Sequence, residues 1–211
     1  MDIRLNDVEA RVLGSLVEKE LATPEHYPLS LNALINACNQ KSNREPVVSY
    51  SEATVREAVD GLIEMGLVNK TDVGRVPKYE QGFTQPLNLI DRESAVICVM
   101  LLRGPQTPGA LRTRTARLCQ FDHLDHVMET LANLEEWGFA CRLPRLPGHK
   151  ESRYTHLLSG EVVADASSGF STRPMADDSG RIDRLEQDLA AVRRELDHLT
   201  AAFEAFRSRF D

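Results

Sequence analysis

Residues 55–68 have the sequence VREAVDGLIEMGLV, and residues 127–140 have the sequence VMETLANLEEWGFA. The two stretches align at one constant offset. In each of them apolar residues recur at steps of four and three, which places them on one face of an α-helix. A glycine, Gly66 or Gly138, follows each helix where a left-handed residue commonly ends one. The chain therefore contains an internal repeat, which constrains the architecture more than any single motif does.

The segments around these helices repeat as well. Each repeat is predicted to begin with a helix capped by an Asn or Asp, in the segment Asn6-Asp7 or at Asp91. A second helix is expected at residues 29–38 and 107–119, with Pro108 in the first helical position behind Thr107. After each glycine the sequence predicts two short strands, at residues 67–71 and 76–80 and at residues 139–143 and 152–157.

Three helices followed by a β-hairpin is the order of a winged helix-turn-helix, a relative of the modules that place a helix in the major groove of DNA. We therefore predict a mainly α-helical protein with small β-hairpins, of class α+β. Its tandem winged-helix modules are expected at residues 1–86 and 87–160. A generic helical domain with unrelated hairpins would not explain the repeated order.

Residues 27–34 (YPLSLNAL) and 37–46 (ACNQKSNREP) resemble the signature of the YceH-like family of uncharacterised bacterial proteins. The later segments VREA at 55–58 and GLV at 66–68 agree with it. The resemblance covers about residues 3–160 and implies a tandem winged-helix fold, but no particular activity. The predicted architecture is also similar to that of segregation and condensation protein B, whose paired winged helices bind a protein partner.

The C-terminal part of the sequence has a different character. Residues 161–180 are small and polar, which is typical of a flexible linker. Residues 181–211 then carry an uninterrupted heptad pattern, so a helix of this length must cover its apolar stripe by pairing with a second copy or by packing on the modules. We favour a homodimer, formed through Ile182, Leu185, Leu189, Val192, Leu196, Leu199, Phe203 and Phe206.

The distribution of apolar and charged residues indicates where in the cell the protein is expected. The longest apolar run, at residues 95–102, is far shorter than the roughly 20 residues that span a membrane, and the charged N-terminus does not resemble a signal peptide. We therefore expect a cytoplasmic protein with no membrane contact and with reduced cysteines.

The net charge of −7 argues against a broad nucleic-acid surface, and both third helices are rich in acids. Their acidic faces are consistent with plain solvated surface or with protein docking. Basic residues lie instead in the polar segment 39–44, in the second helix of the second repeat and in the predicted wings. They are either scattered surface charge or a rim that contacts phosphates or a partner, formed by Lys41, Arg44, Lys70, Arg75, Lys78, Arg112, Arg114, Arg117, Arg142, Arg145, Lys150 and Arg153.

No pattern typical of catalysis or of a cofactor site occurs. Cys119, Asp122, His123 and His126 resemble a metal site, but structural zinc usually has four ligands and favours paired cysteines. The fourth ligand would have to come from a distant residue. We therefore expect a non-enzymatic protein with no cofactor and no metal. Our leading hypothesis is a DNA-associated or transcription-type regulator with basic wings that dimerises through its tail. The alternative is a protein-interaction scaffold whose winged helices bind a polypeptide.

A chain truncated after residue 160 should melt at nearly the temperature of the full chain, because the polar linker is expected to transmit little between the modules and the tail. Thermal melts of both chains at the same low protein concentration test this. A large drop on truncation would mean that the tail packs on the modules.

Overall fold

The computed structural model describes residues 3–72, 76–145, 148 and 151–160. Within them the chain forms helices and short strands in an α+β arrangement. In chain order these elements are α1 (Asp7–Ala22), a 3-10 turn (Pro24–His26), β1 (Leu29–Ser30), α2 (Leu31–Cys38), α3 (Glu52–Glu64), β2 (Val68–Thr71), β3 (Lys78–Gln81), α4 (Asp91–Arg103), α5 (Pro108–Arg114), α6 (Leu124–Glu136), β4 (Ala140–Arg142) and β5 (Tyr154–His156). None of these helices is long and apolar enough to cross a bilayer.

The predicted third helices are confirmed. α3 and α6 begin and end at positions that keep the alignment found in the sequence. Gly66 and Gly138 have φ angles of 72° and 75°, the left-handed conformation predicted for them. The amide of the residue after each glycine donates to a carbonyl five positions earlier, Leu67 to Leu62 and Phe139 to Leu134, both at 2.8 Å. Each helix thus ends in a Schellman motif.

The first helices begin differently from each other. Asn6 caps α1 through bonds from the amides of Val8 and Glu9, both at 2.9 Å, as predicted. The prediction that Asp91 caps α4 is wrong, because Asp91 is already the first helical residue. Ile90 occupies the cap position, and its amide donates to the Glu93 carboxylate at 2.8 Å.

The hairpins are present, and extended residues ahead of the second helix pair with each of them, two in the first repeat and one in the second. β1 pairs with β3, which gives the antiparallel order β1-β3-β2. The sequence had placed the residues of β1 at the start of the second helix. In the second repeat Gln106 and Tyr154 exchange backbone hydrogen bonds of 2.9 and 2.7 Å. The order helix, extended residue, two helices and hairpin therefore occurs twice.

The core is continuous across both repeats. Most buried apolar residues from Leu5 to Leu158 belong to one cluster, and Val17, Cys98 and Leu102 of α1 and α4 form a second, smaller one. Both helices are buried around most of their circumference, as expected for helices inside a core. They contact each other where α1 carries Gly14. A Cβ atom at Gly14 would lie 3.0 Å from the Cβ of Leu101 and from two side-chain atoms of Leu102.

The segment between α2 and α3 is anchored by buried arginines. Arg44 donates to both carboxylate oxygens of Glu18, at 3.0 and 2.6 Å, and to the Ala37 carbonyl at 2.8 Å. Arg11 donates to the carbonyls of Cys38, at 3.2 Å, and Pro46, at 2.7 Å. The prediction that Arg44 contacts a partner is wrong, since its side chain has no exposed surface.

The predicted linker and heptad helix, residues 161–211 with the eight proposed dimerisation residues, lie outside the described residues.

Gly14→Ala should lower the free energy of unfolding by about 1 kcal/mol. Overpacking of a core costs about 1–3 kcal/mol, which exceeds the gain of about 1 kcal/mol from replacing a helical glycine. The Cβ of Leu101 is fixed to its backbone and cannot rotate away. Gly109→Ala in α5 is the matched control, because nothing lies within 4 Å of its Cβ position. That variant should be stabilised by up to about 1 kcal/mol. Urea denaturation of both measures the effect, and the same sign at both sites would contradict the close packing.

Arg44→Met should destabilise the protein by about 3 kcal/mol, because it leaves the Glu18 carboxylate without its buried partner. Lys41→Met, three positions away on an exposed side chain, should change stability by less than about 0.5 kcal/mol. Equal unfolding midpoints for the two variants would show that the ion pair contributes little.

Candidate functional site

The predicted contact residues do not form a single rim. Lys41, Arg114 and Arg117 line one cleft, and Arg142 and Arg145 line a separate groove beside α6. Lys70 is paired with Asp72 at 3.3 Å. Arg75 and Lys150 lie outside the described residues.

The remaining predicted residues lie elsewhere. Arg112 donates to the carbonyls of Phe121, at 3.3 Å, and Asp122, at 2.7 Å, so it ties α5 to the start of α6. Lys78 is exposed at the start of β3, and Arg153 is half-buried just before β5.

The largest of these concave surfaces lies where the two repeats meet, with a volume of about 1270 Å³. We call it the basic cleft. Its walls come from the end of α1, the segment after α2, the end of α4, and α5 with the residues that follow it. The lining residues that carry charge are Glu18, Lys19, Lys41, Arg103, Arg114 and Arg117.

The acid at the cleft is neutralised within the protein. Glu18 binds Arg44 at 2.6 Å and also lies 3.7 Å from the Lys19 ammonium. Arg44 is inaccessible and is not a lining residue, so it neutralises the carboxylate from inside the protein, and of the five lining cations Lys19 alone also pairs with it. Those cations therefore give the cleft a positive charge, in a protein whose net charge is −7.

Two arginines of the cleft are held by neutral partners. Arg103 donates to the Asn43 side chain, and Arg114 donates to the Gln106 side chain. Partial burial lowers the pKa of Arg103, and the nearby Arg114 guanidinium lowers it further. Both guanidinium groups remain protonated in proteins, so Arg103 and Arg114 repel each other. An anion bound between them would reduce this repulsion.

The rest of the lining fits a phosphate or a carboxylate. Gln40, Ser42, Asn43 and Thr113 add neutral donors at the walls. The floor includes Cys98, whose buried thiol donates to the Gly14 carbonyl at 3.4 Å. Burial raises the pKa of this thiol well above its usual range, so it stays protonated and is a poor nucleophile. The lining of the cleft is therefore suited to binding an anion.

Sequence reasoning missed Lys19 and Arg103. Each is the basic residue in the last turn of a first helix, where a cation is expected merely to complement the helix dipole. Aligning Asn6 with Ile90, the two cap residues, also aligns Lys19 with Arg103. This correspondence is the sequence feature from which the two residues could have been paired. Only the packing of α1 on α4 shows that both of them reach one cleft.

The third helix of the first repeat has the opposite charge. α3 and the start of α1 form a groove of about 1100 Å³. The only lining cation among the described residues, Arg56, is paired with Glu52 at 2.6 Å. The acids of the groove are Asp7, Glu9, Glu52, Glu57, Asp60 and Glu64.

No metal-binding cluster of three or more His, Cys, Asp or Glu residues occurs among the residues that the structure describes. Cys119, Asp122, His123 and His126 therefore do not form such a cluster there.

Residues 5–149 match the family described as "Protein of unknown function, DUF480". A "UPF0502 protein" of Solibacter usitatus is 49% identical over all of both chains. Another, from Aeromonas hydrophila, is 49% identical over 93% of this chain and 94% of its own. A third, from Vibrio parahaemolyticus, is 48% identical over 99% of this chain and all of its own. The chain therefore belongs to the DUF480 family, which includes these UPF0502 proteins.

Proposed function

We propose that this protein is a non-enzymatic, DNA-associated regulatory protein that holds the phosphate backbone in the basic cleft. Five cations converge on one concave surface whose carboxylate is already neutralised, and this observation carries the proposal. Lysine and arginine contacts to phosphate supply most of the sequence-independent affinity for DNA.

The fold proposed for each repeat is a winged helix. The sheet order β1-β3-β2 supports this, because the strand ahead of the second helix pairs with the last strand of the hairpin. The Gln106–Tyr154 bridge supports the same arrangement in the second repeat. In helix-turn-helix proteins the recognition helix reads bases in the major groove.

The charge of α3 argues against that mode here. Side chains that read base edges are typically Arg, Lys, Asn or Gln, whereas the exposed surface of α3 carries Glu57, Asp60 and Glu64 and an internally paired arginine. Such a surface repels phosphate. The proposed contact is therefore backbone-directed and independent of base sequence.

Two further elements support the cleft in this proposal. Lys78, exposed at the start of β3, adds positive charge outside the cleft. The heptad tail, if it dimerises as its sequence predicts, joins two clefts in one particle. Linked sites raise overall affinity without new contacts.

The triple variant Lys41→Gln, Arg114→Gln and Arg117→Gln should bind random duplex DNA at least about tenfold more weakly at about 50 mM salt, because it removes three phosphate contacts. The slope of log affinity against log salt should fall by about 3. Fluorescence anisotropy of a labelled duplex measures both quantities.

The matched control is Lys70→Gln, Lys78→Gln and Arg153→Gln, which removes the same charge from the wings. It should weaken binding by less than about threefold, since these three residues lie outside the basic cleft in which the phosphate contacts are proposed. A larger loss of DNA affinity in this control than in the cleft variant would show that the wings, and not the cleft, contact the DNA. No binding by the unmodified protein at about 50 µM would remove DNA as the ligand.

A further inference from the structure

The third helix of the second repeat presents an apolar face to solvent. Leu124 and Met128 lie one turn apart on α6 and are 40% and 41% exposed. Ala132 continues the same face one turn further and is also exposed. Residues four apart on a helix are neighbours on its surface. These side chains therefore form a short apolar stripe beside the buried face that carries Val127 and Leu131.

The first repeat shows that the fold does not require this stripe. At the equivalent positions α3 carries Glu52, Arg56 and Asp60, all exposed. Glu52 and Arg56 form an ion pair of 2.6 Å across the same turn. Both helices have 13 residues and end in the same Schellman motif. Solvent exposure favours the charged version, so the apolar version in α6 calls for a partner that covers it.

Leu124 and Met128 of this stripe line a groove of about 270 Å³. Pro108 and Tyr154 add apolar surface, while Arg142 and Arg145 line the other side. Among the described residues no carboxylate lies within ion-pairing distance of either guanidinium, although Glu151 also lines the groove. This volume is below the range of about 300–1,000 Å³ that small-molecule pockets occupy. It matches a few side chains of a polypeptide.

We propose that this groove docks an amphipathic helix from an acidic partner protein. Apolar side chains of that helix pack against Leu124 and Met128, and its carboxylates pair with Arg142 and Arg145. This is the helix-in-groove mode of recognition, in which apolar anchors at helical spacing supply the affinity. Nucleic acid is disfavoured there because the stripe offers no hydrogen-bond donors, and because Asp125 and Glu129 are exposed on the same helix.

The surface is separate from the basic cleft, so the inference does not depend on DNA binding. The two sites share no lining residue.

The decisive variant transfers the ion pair of the first repeat into the second, as Leu124→Glu with Met128→Arg. α3 shows that this pair is compatible with a helix of the same length at the same positions, and the net charge does not change. A library of random 16-residue peptides displayed on phage is selected on the full unmodified chain and counter-selected on this variant. Enriched peptides are then synthesised with a fluorescent label and titrated by anisotropy.

We expect the enriched peptides to carry two or more large apolar residues at spacings of three or four, together with Asp or Glu. Their affinity should fall at least about tenfold in the Leu124→Glu, Met128→Arg variant, which is typical of losing central anchors. Arg142→Gln with Arg145→Gln should weaken the acidic peptides in the same assay. Glu52→Ala with Arg56→Ala, the equivalent change on α3, should leave binding unchanged.

Three results would overturn the proposal. The first is enrichment of no peptide, or only of peptides that bind the variant equally well. The second is that peptides whose Asp and Glu residues are replaced by lysine bind as tightly as the enriched peptides, which would show that the partner need not be acidic. The third is a change in the oligomeric state of the protein on Leu124→Glu, Met128→Arg in sedimentation equilibrium, which would show that a second copy covers the stripe.

Discussion

The contact between α1 and α4 is the constraint on which the other features of the described chain depend. Both helices are buried around most of their surface, and Gly14 permits the approach because even a methyl group would meet Leu101 and Leu102 at 3.0 Å. Gly14 corresponds to Cys98 in the other repeat, and the thiol of Cys98 donates to the Gly14 carbonyl. Equivalent positions of the two repeats therefore meet, as in an isologous contact between identical subunits. The same packing brings Lys19 and Arg103 to one cleft.

The buried pair of Arg44 and Glu18 connects this packing to the surface. Because Arg44 is anchored in the interior, the exposed residues before it, Lys41 and Asn43, are held near the end of α4. The next residue is also fixed there, since the Glu45 amide donates to the Leu102 carbonyl at 2.9 Å. Burying two charges is costly unless their geometry is good and further hydrogen bonds satisfy them, and Arg44 also binds the Ala37 carbonyl. The pair thereby removes a negative charge from a surface that would otherwise be less attractive to anions.

Much of the fold was predictable because periodicity and end signals are local. The steps of four and three in α3 and α6, the left-handed glycines and the Asn6 cap depend on residues within one or two turns. The strand at residues 29–30 was missed because two residues carry no period, and its pairing with β3 is a long-range contact. Arg44 was misassigned for a related reason, since a polar neighbourhood suggests exposure while its partner Glu18 lies on a different helix. Lys41, Arg114 and Arg117 were predicted as contact residues from their charge alone, but their convergence on one cleft depends on the packing of the repeats.

The two repeats differ most where the fold constrains them least. The C-terminal ends of their third helices and their hairpins follow one plan, yet the exposed face of the third helix carries a salt-bridged pair in α3 and aliphatic side chains in α6. An exposed ion pair contributes little to stability, and an exposed leucine contributes nothing until something covers it. The stability of the fold therefore explains neither the ion pair on α3 nor the aliphatic side chains on α6. The basic cleft, in contrast, is built from residues of both repeats. The cleft forms because the equivalent helices α1 and α4 pack against each other, whereas the exposed faces of the third helices differ and give each repeat a surface of its own.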